Sequence, residues 1–587
     1  MNVLGISAFY HESACALLRD GQLVAAAAEE RFSRRKHDPR LPVAAFRFCL
    51  DAAGLDVTDL DAVAFYEDPV AKLSRQLWCG PRVGESWDLP WLDPGAPERG
   101  IRERLGIETP LLCFPHHRSH AASAFFYSGF EEAAILVADG VGEWATTSYG
   151  RAKGTEIDLF EEVSFPHGLG LLYSTLTGYL GFRVNSGEYK VMGLAPYGEP
   201  RYVDQVCQLI GMGPDGQFLL ARRNFDFIRG RRMYSPALVE LFGRPPRRPE
   251  DPIEDFHRDV ARSLQLVVEE ILLEKAAWLH RRAGAADLCY AGGVALNCVV
   301  NGRLRREGPF RRIFVPPAPG DAGGALGAAA LAHVELTGTA PRREPLRHAF
   351  YGPRFDADIV TELLEDTGVP FSDFRQRRDD LAEEVAQRLA EGAVVAFFHG
   401  AMELGPRALG GRSLLADPRR PDMRDRMNAA VKKREAFRPF APCVLKSRAA
   451  EHFDLDPDGL LAPFMLETCR VRSPLDLPAV THVDGSARPQ VVDPAIQPRF
   501  AALLQAFEGC TGCPILLQTS FNVRGEPIVA TPEDALFCFG TTDIDALVLE
   551  DALIDRSQLP DSWPELFLAW RGRPKPAALD PHLYTFV

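Results

Sequence analysis

The 587-residue chain has no uninterrupted apolar run near the roughly 18 residues of a membrane span. Its amino terminus lacks a basic region ahead of an apolar stretch, since Glu12 interrupts Met1–Leu18. Neither a membrane anchor nor a secretory leader is expected. Positive charge is also short: 66 Lys and Arg face 80 Asp and Glu, a formal net charge of −14. That balance argues against duplex DNA or RNA as the main partner, because phosphate neutralisation supplies most of such affinity. Cysteine is present, with twelve residues, but without a regular framework. Cys15, Cys289 and Cys538 sit in apolar surroundings and read as small buried hydrophobes. Cys510-x-x-Cys513 has no second pair, so a zinc ribbon is excluded. With 46% hydrophobic and 25% charged residues, the chain reads as a globular cytoplasmic protein too long for one core.

Against the acidic background one stretch reverses sign. Glu403-Leu-Gly-Pro-Arg-Ala-Leu-Gly-Gly-Arg-Ser413 precedes Asn428-Ala-Ala-Val-Lys-Lys-Arg-Glu-Ala-Phe-Arg-Pro-Phe-Ala-Pro442. It gathers Arg407, Arg412, Lys432, Lys433, Arg434 and Arg438. Gly and Pro fix the backbone and permit close approach, while Arg suits phosphate bidentately and Lys adds a point charge. The pattern predicts a rigid pocket for a phosphorylated small molecule.

Elsewhere the pattern is α/β. Val3–Ala8, Ala14–Arg19 and Leu23–Ala28 read as strands around an Asp20-Gly21 hairpin turn. A second unit repeats the plan, with Ala133–Ala138, a turn at Asp139-Gly140, and Trp144–Tyr149. Two such hairpins, each opening a mixed half, match the actin/hexokinase-type nucleotide-binding fold. Glu254–Arg282 has long-helix composition, and Asp287–Ala291 and Arg312–Val315 read as buried strands. Each runs into a Gly-rich loop, Gly292-Gly293 and Gly320-Asp321-Ala-Gly-Gly324, whose backbone amides suit an anion. Thr337–Pro353 is the predicted linker between domains 1–345 and 346–587, and Trp78–Gly100 is a surface insertion.

His116 and His120 follow Pro115 at i, i+4 spacing, which puts both imidazoles on one helical face. Alone that spacing says little. Asp139 at the second turn and Asp321 in the Gly-rich loop complete a mixed N/O set for iron(II), manganese or zinc. Asn297 offers an amide to a ribose or base. Lys190 suits a nucleotide phosphate or a neighbouring acid, and both readings stay open. His11, at the first turn, suits a base for a hydroxyl or a hydrogen-bonded structural histidine.

The basic stretch resembles the carboxyl-terminal, YrdC-like domain of O-carbamoyltransferases related to nodulation protein U and the tobramycin, cephalosporin and novobiocin enzymes. Gly187-Glu-Tyr-Lys-Val-Met-Gly-Leu-Ala-Pro-Tyr-Gly198 and Glu29-Glu-Arg-Phe-Ser-Arg-Arg-Lys-His-Asp38 are similar to stretches of the same family. The likeness runs from about Val3 to Leu553. It implies an actin/hexokinase-like amino-terminal domain joined to a YrdC-like carboxyl-terminal domain. It implies carbamoyl phosphate and ATP (with magnesium) as substrates, with carbamoyladenylate formed at Arg407, Lys432, Arg438, Arg488, Ser520 and Asn522. It implies iron(II) or another divalent metal at His116, His120, Asp139 and Asp321, with His117 left out. Gly140, Lys190, Gly292, Gly293, Asn297 and Gly320 are the implied nucleotide contacts. His11 is then the base for a hydroxyl-bearing small molecule, a natural product such as an antibiotic precursor or a sugar. Neither nucleic acid nor membrane is an expected partner, and a homodimer is left open.

The chain departs from the family pattern at His399, Ala401, Gly411 and Gln518. Three rivals remain: a threonylcarbamoyl-type tRNA-modifying transferase, a hydrogenase-maturation carbamoyltransferase, and a silent actin-like sensor. A missing basic stripe opposes the first. Missing acylphosphatase and paired Cys-x-x-Cys segments oppose the second. The complete ligand set opposes the third.

Overall fold

A computed structural model describes residues 1–81, 92–341, 345–432, 434–435, 437–560 and 562–563. Lys433, residues 82–91 of the expected insertion and 342–344 of the expected linker lie outside them. The described chain forms two compact units. Of the described residues, the first comprises Met1–Glu29 and those from His37 to Leu346; the second comprises Glu30–Lys36 and those from Arg347 to Trp563. Among the described residues no helix is long and apolar enough to cross a membrane.

The first unit is built on two sheets of the same design. In one, β1 (Asn2–Ser7), β2 (Ala14–Arg19) and β3 (Gln22–Ala28) form an antiparallel meander. Strands β4 (Ala62–Phe65) and β5 (Leu111–Cys113) add in parallel beside β1, giving the order β3-β2-β1-β4-β5. The other sheet begins with the meander β6 (Glu132–Ala138), β7 (Ala145–Lys153) and β8 (Glu156–Ser164). A small ribbon, β9 (Ile210–Met212) and β10 (Phe218–Leu220), follows. Strands β11 (Asp287–Ala291) and β12 (Arg312–Phe314) then extend the sheet in parallel beside β6. Its order, β8-β7-β6-β11-β12, repeats the first. The duplicated sheet is the actin/hexokinase-like architecture.

The first turn, Asp20-Gly21, is the tight left-handed pair its composition predicts, with φ of 50° and 74°. The second is not a two-residue turn. Asp139 to Trp144 form a six-residue connection between β6 and β7, closed by Asp139 N–H to Thr146 and Gly142 N–H to Ala145. Gly142 packs against His116, where a Cβ would stand 3.1 Å from the histidine's Cβ.

Close backbone approach is what glycine supplies in the helix Asp321–Thr337. A Cβ on Gly327 would stand 1.8 Å from the Ser119 carbonyl oxygen of helix His116–Phe125. A Cβ on Gly5 of β1 would stand 1.9 Å from the Ala325 carbonyl oxygen. Only residues without a Cβ let the two helices and the strand meet at this distance. That packing brings Asp321 to the two histidines.

The second unit carries an eight-stranded mixed sheet. Its strands in chain order are β13 (Ser372–Asp373), β14 (Val395–Phe398), β15 (Arg412–Ala416) and β16 (Ala441–Leu445). After a short pair, β17 (Cys469–Arg470) and β18 (Ser486–Ala487), come β19 (Gln490–Val492), β20 (Ile515–Ser520), β21 (Ala546–Leu549) and β22 (Ala552–Asp555). The order is β13-β22-β21-β14-β15-β20-β16-β19, an α/β unit of the YrdC-like kind. Strands β14 and β21 are apolar on both faces, the pattern of a sheet covered by helices. Helix Pro498–Thr511 buries Phe500, Leu504 and Phe507 in that core.

Candidate metal centre and anion site

In the first unit four ligating side chains converge at the end of β6. His116 Nε2 lies 3.2 Å from Asp139 Oδ2, 3.5 Å from Asp321 Oδ1 and 3.0 Å from His120 Nε2. His120 Nε2 lies 3.6 Å from Asp321 Oδ1 and 3.9 Å from Asp139 Oδ2. All four residues are buried. An ion with bonds of about 2.0–2.2 Å has ligand–ligand edges of about 3.0–3.6 Å, so the spacing fits one divalent ion. Two imidazoles and two carboxylates form a donor set for a borderline metal.

The surroundings aim these groups. Gly293 N–H donates to Asp139 Oδ1 at 2.7 Å, turning Oδ2 toward the histidines. Glu143 Oε1 accepts the backbone N–H of His116 at 2.8 Å and that of Asp68 at 2.7 Å, fixing the start of the helix. Tyr66 packs its ring 5.0 Å from that of His116. Burial disfavours charge on His116, yet Asp139 and Asp321 outweigh it and push its pKa up to about 9. Burial likewise opposes the Asp139 anion, but His116, His120 and His117 hold its carboxyl well below the usual range. His117, beside the ligands, instead bonds Ser148 Oγ through Nδ1 at 2.7 Å, and burial pushes its pKa well down.

The other residues expected in this unit fall into two groups. A Cβ added at Gly140 or Gly320 would meet nothing within 4 Å, so both turns present open backbone. Gly292 has a packing reason for its identity: at φ 92° a Cβ would stand 2.2 Å from the Ala138 carbonyl oxygen. The Asn297 amide exchanges hydrogen bonds with Gln265 at 3.0 and 3.2 Å, and Asn297 Oδ1 also accepts Val300 N–H, capping a helix. Lys190 Nζ stands 5.8 Å over the Phe182 ring. His11 bonds the Asn185 carbonyl.

In the second unit Lys432 is the hub. Its Nζ donates to the Ser520 carbonyl, to the Asn522 carbonyl at 2.9 Å and to Asn522 Oδ1 at 2.8 Å, with Ser520 Oγ at 3.3 Å. Burial, then the like charges of Arg434, Arg438 and Lys36, press its pKa well down, against a shell of oxygens that favours the ammonium. Positive charge gathered around a buried lysine favours an anionic ligand. Arg407 is half-buried on the loop after Glu403. Glu403 Oε1 shapes that loop by accepting the N–H groups of Leu409, Gly411 and Arg412 at 2.8, 2.8 and 3.1 Å. Arg31 donates to the Gly405 carbonyl at 2.6 Å. Arg438 lies 3.8 Å from Glu435, and Arg488 is half-buried between β18 and β19.

Arg412 departs from the expected basic pocket. It is fully buried, stacks 3.5 Å over Phe398, and donates to the carbonyls of Pro353, His399, Gly400 and Gly411. These bonds anchor the loop. Gln518 is likewise buried, bonded to the Ala408 carbonyl and Ser413 Oγ. Residues that the sequence reading passed over as site members are Glu143, Glu403, Arg31 and Lys36. Arg31 and Lys36 carried a signal in the basic run after Glu30, Glu403 carried one by opening the basic stretch, and Glu143 carried none.

Family models describe the same two parts. The carbamoyltransferase N-terminus matches residues 2–77 and 99–330, and the carbamoyltransferase C-terminus matches 386–556. The chain belongs to the carbamoyltransferase family. It is an enzyme of carbamoyl transfer. The Synechocystis protein sll1178 is 44% identical, covering 96% of this carbamoyltransferase and 99% of its own length. Nodulation protein NolNO of Sinorhizobium fredii is 40% identical over 96% of this chain and 81% of its own. Nodulation protein U of Bradyrhizobium diazoefficiens is 31% identical over 92% and 94%. Among solved structures, T. kodakarensis HypF aligns with 57% of this chain and 48% of its own at 17% identity and a TM-score of 0.31.

Proposed function

We propose that this carbamoyltransferase makes carbamoyladenylate from carbamoyl phosphate and ATP in its second unit. In its first unit it transfers the carbamoyl group to a hydroxyl of a small molecule, a natural product or a sugar. The observation that carries this reading is the buried convergence of His116, His120, Asp139 and Asp321 in a chain of this family. Bound there, iron(II) or another divalent ion would take phosphate oxygens and neutralise their charge. Gly140 and Gly320 let those phosphates approach the backbone, with Lys190 as their counter-charge. His11 takes the acceptor's proton.

The donor step belongs to the second unit. Arg407, Arg438 and Arg488 hold the phosphates of the two substrates, and the Lys432 cage orients Ser520 and Asn522 toward the carbamoyl group. Holding both reactants in line supplies much of the rate, and fixed cations stabilise the leaving pyrophosphate.

The test needs no acceptor. Purified protein with ATP, carbamoyl phosphate, magnesium and iron(II) should release pyrophosphate and yield carbamoyladenylate by mass spectrometry. Arg407→Ala should abolish both. Folded, metal-replete protein that releases no pyrophosphate would sink the donor step.

A further inference from the structure

His11 lies in the first unit on the connection from β1 to β2. Its Nε2 stands 2.9 Å from the Asn185 carbonyl oxygen. A carbonyl only accepts, so Nε2 carries a proton and the neutral ring keeps its lone pair at Nδ1. That Nδ1 faces Glu12 Oε1 at 3.9 Å, beyond hydrogen-bond reach. The same Oε1 accepts a hydrogen bond from His37 Nδ1 at 3.0 Å, and the two imidazole rings lie 4.7 Å apart. One carboxylate therefore stands between two imidazoles, bonded to one and only near the other.

Backbone strain collects at the same place. Phe9, His37 and Asn185 have φ of 69°, 56° and 62°, a conformation that side chains with a Cβ rarely adopt. Residues held this way cluster at functional sites. The side chains of His11, Glu12 and His37 keep 23%, 25% and 20% of their exposure, enough for a ligand to reach them.

We infer that Nδ1 of His11 is the atom that takes the acceptor's proton, and that Glu12, held by His37, stabilises the imidazolium so formed. This rests on the proposed transfer reaction. In that step the acceptor O–H bond breaks and its proton passes to Nδ1. The oxygen's electron pair forms the bond to the carbamoyl carbon. The bond from that carbon to the adenylate oxygen breaks, and AMP leaves with the pair. His11 then holds a proton on each nitrogen, one toward Asn185 and one toward Glu12. His37 acts through Glu12 and is a positioning residue.

The groups facing His11 agree in sign. Burial opposes its cation, but Glu12, Asp321, the Asn185 carbonyl and Glu188 outweigh burial and hold its pKa above the ordinary value. Removing Glu12, or letting it swing away, should lower that pKa.

The experiment follows the rate at which diethyl pyrocarbonate modifies His11 in the full-length protein, from pH 5.5 to 8.5, by peptide mass spectrometry. Only the neutral ring reacts, so the midpoint reports the ionisation of His11. No carbamoyl chemistry is needed, so the outcome is separate from that of the pyrophosphate test. Glu12→Gln should move the midpoint down by about one unit. His37→Phe should move it similarly, and His37→Gln, which keeps a donor, should restore it. The double variant Glu12→Gln/His37→Phe should fall no lower than Glu12→Gln alone. A midpoint unmoved by Glu12→Gln overturns the inference, and that variant serves if His37→Phe does not fold. A midpoint moved by Glu12→Gln but not by His37→Phe removes His37 from the role. The three donor atoms lie within 4.8 Å of one another. Protection of His11 by manganese(II) that persists in His116→Ala but vanishes in His37→Phe would make the cluster a metal site and also overturn the inference.

Discussion

Replacing Lys432 with Met tests whether the lysine is a cage post or a surface charge. Met preserves most of the stem's packing and removes the ammonium. The ammonium has three protons, and four oxygens from Ser520 and Asn522 already surround it. It therefore acts on a bound anion mainly by orienting those two residues. An acceptor left without a donor costs about 1–3 kcal/mol where it is buried, and less in these half-buried residues. Relief from Arg434, Arg438 and Lys36 offsets part of that, and a loss of about 3–5 kcal/mol is expected. For a unit of this size it should lower the melting midpoint by about 10 °C. Displacing Ser520 and Asn522 by about 1 Å should cost the donor step about a hundredfold in kcat. Thermal unfolding of the metal-free protein and coupled pyrophosphate release read the two effects separately. A variant that melts within a degree or two of wild type and keeps a third of its rate would refute the cage.

Two further outcomes follow from the metal centre. Gly327→Ala puts a Cβ 1.8 Å from the Ser119 carbonyl, so helix Asp321–Thr337 must shift and carry Asp321 away. The variant should stay folded in the second unit but lose about tenfold or more in metal affinity; metal content equal to wild type by elemental analysis would count against the packing argument. His116, pushed up to about 9 in the metal-free protein, must lose its proton to bind metal. Zinc affinity should therefore rise about tenfold per pH unit between pH 6 and 8, read by competition with a fluorescent chelator. The sign for stability is opposite. A raised imidazole stabilises the metal-free fold fully below its unfolded pKa, and that contribution fades as pH rises through about 9. A flat zinc profile would mean that His116 is not a ligand.

Much of the first unit was legible because its signals are local. Asp20-Gly21, the strand runs and the helical His116–His120 pair are decided by residues a few positions apart, and the structure has each of them. The turn at Asp139-Gly140 and the return strand from Trp144 were legible to within a residue, but the bonds from Asp139 to Thr146 and from Gly142 to Ala145 that close the loop were not. Arg412 was misread for a different reason. Composition shows a cation beside other cations, but not that β14 and the Pro353 segment offer it a ring and four carbonyls. The Asn297 partnership was hidden for the same reason: Gln265 lies 32 positions away on another helix.

The partnerships that shape chemistry here are long-range, and most are made by backbone. His11 owes its tautomer to a carbonyl 174 residues away, and the loop carrying Arg407 is tied to Arg31 across 374 residues. No spacing rule reaches such pairs, because carbonyls are the same at every position and reveal nothing in composition. What sequence does reveal is where the chain gives up side chains to permit those contacts. Gly5, Gly292 and Gly327 each sit where a Cβ would stand within about 2.2 Å of a carbonyl oxygen, and each contact lies in the frame behind Asp139 and Asp321. These three glycines thus frame the candidate metal centre from the side opposite its ligands. The ligands say which atoms meet, and the glycines say which backbones must touch for them to meet.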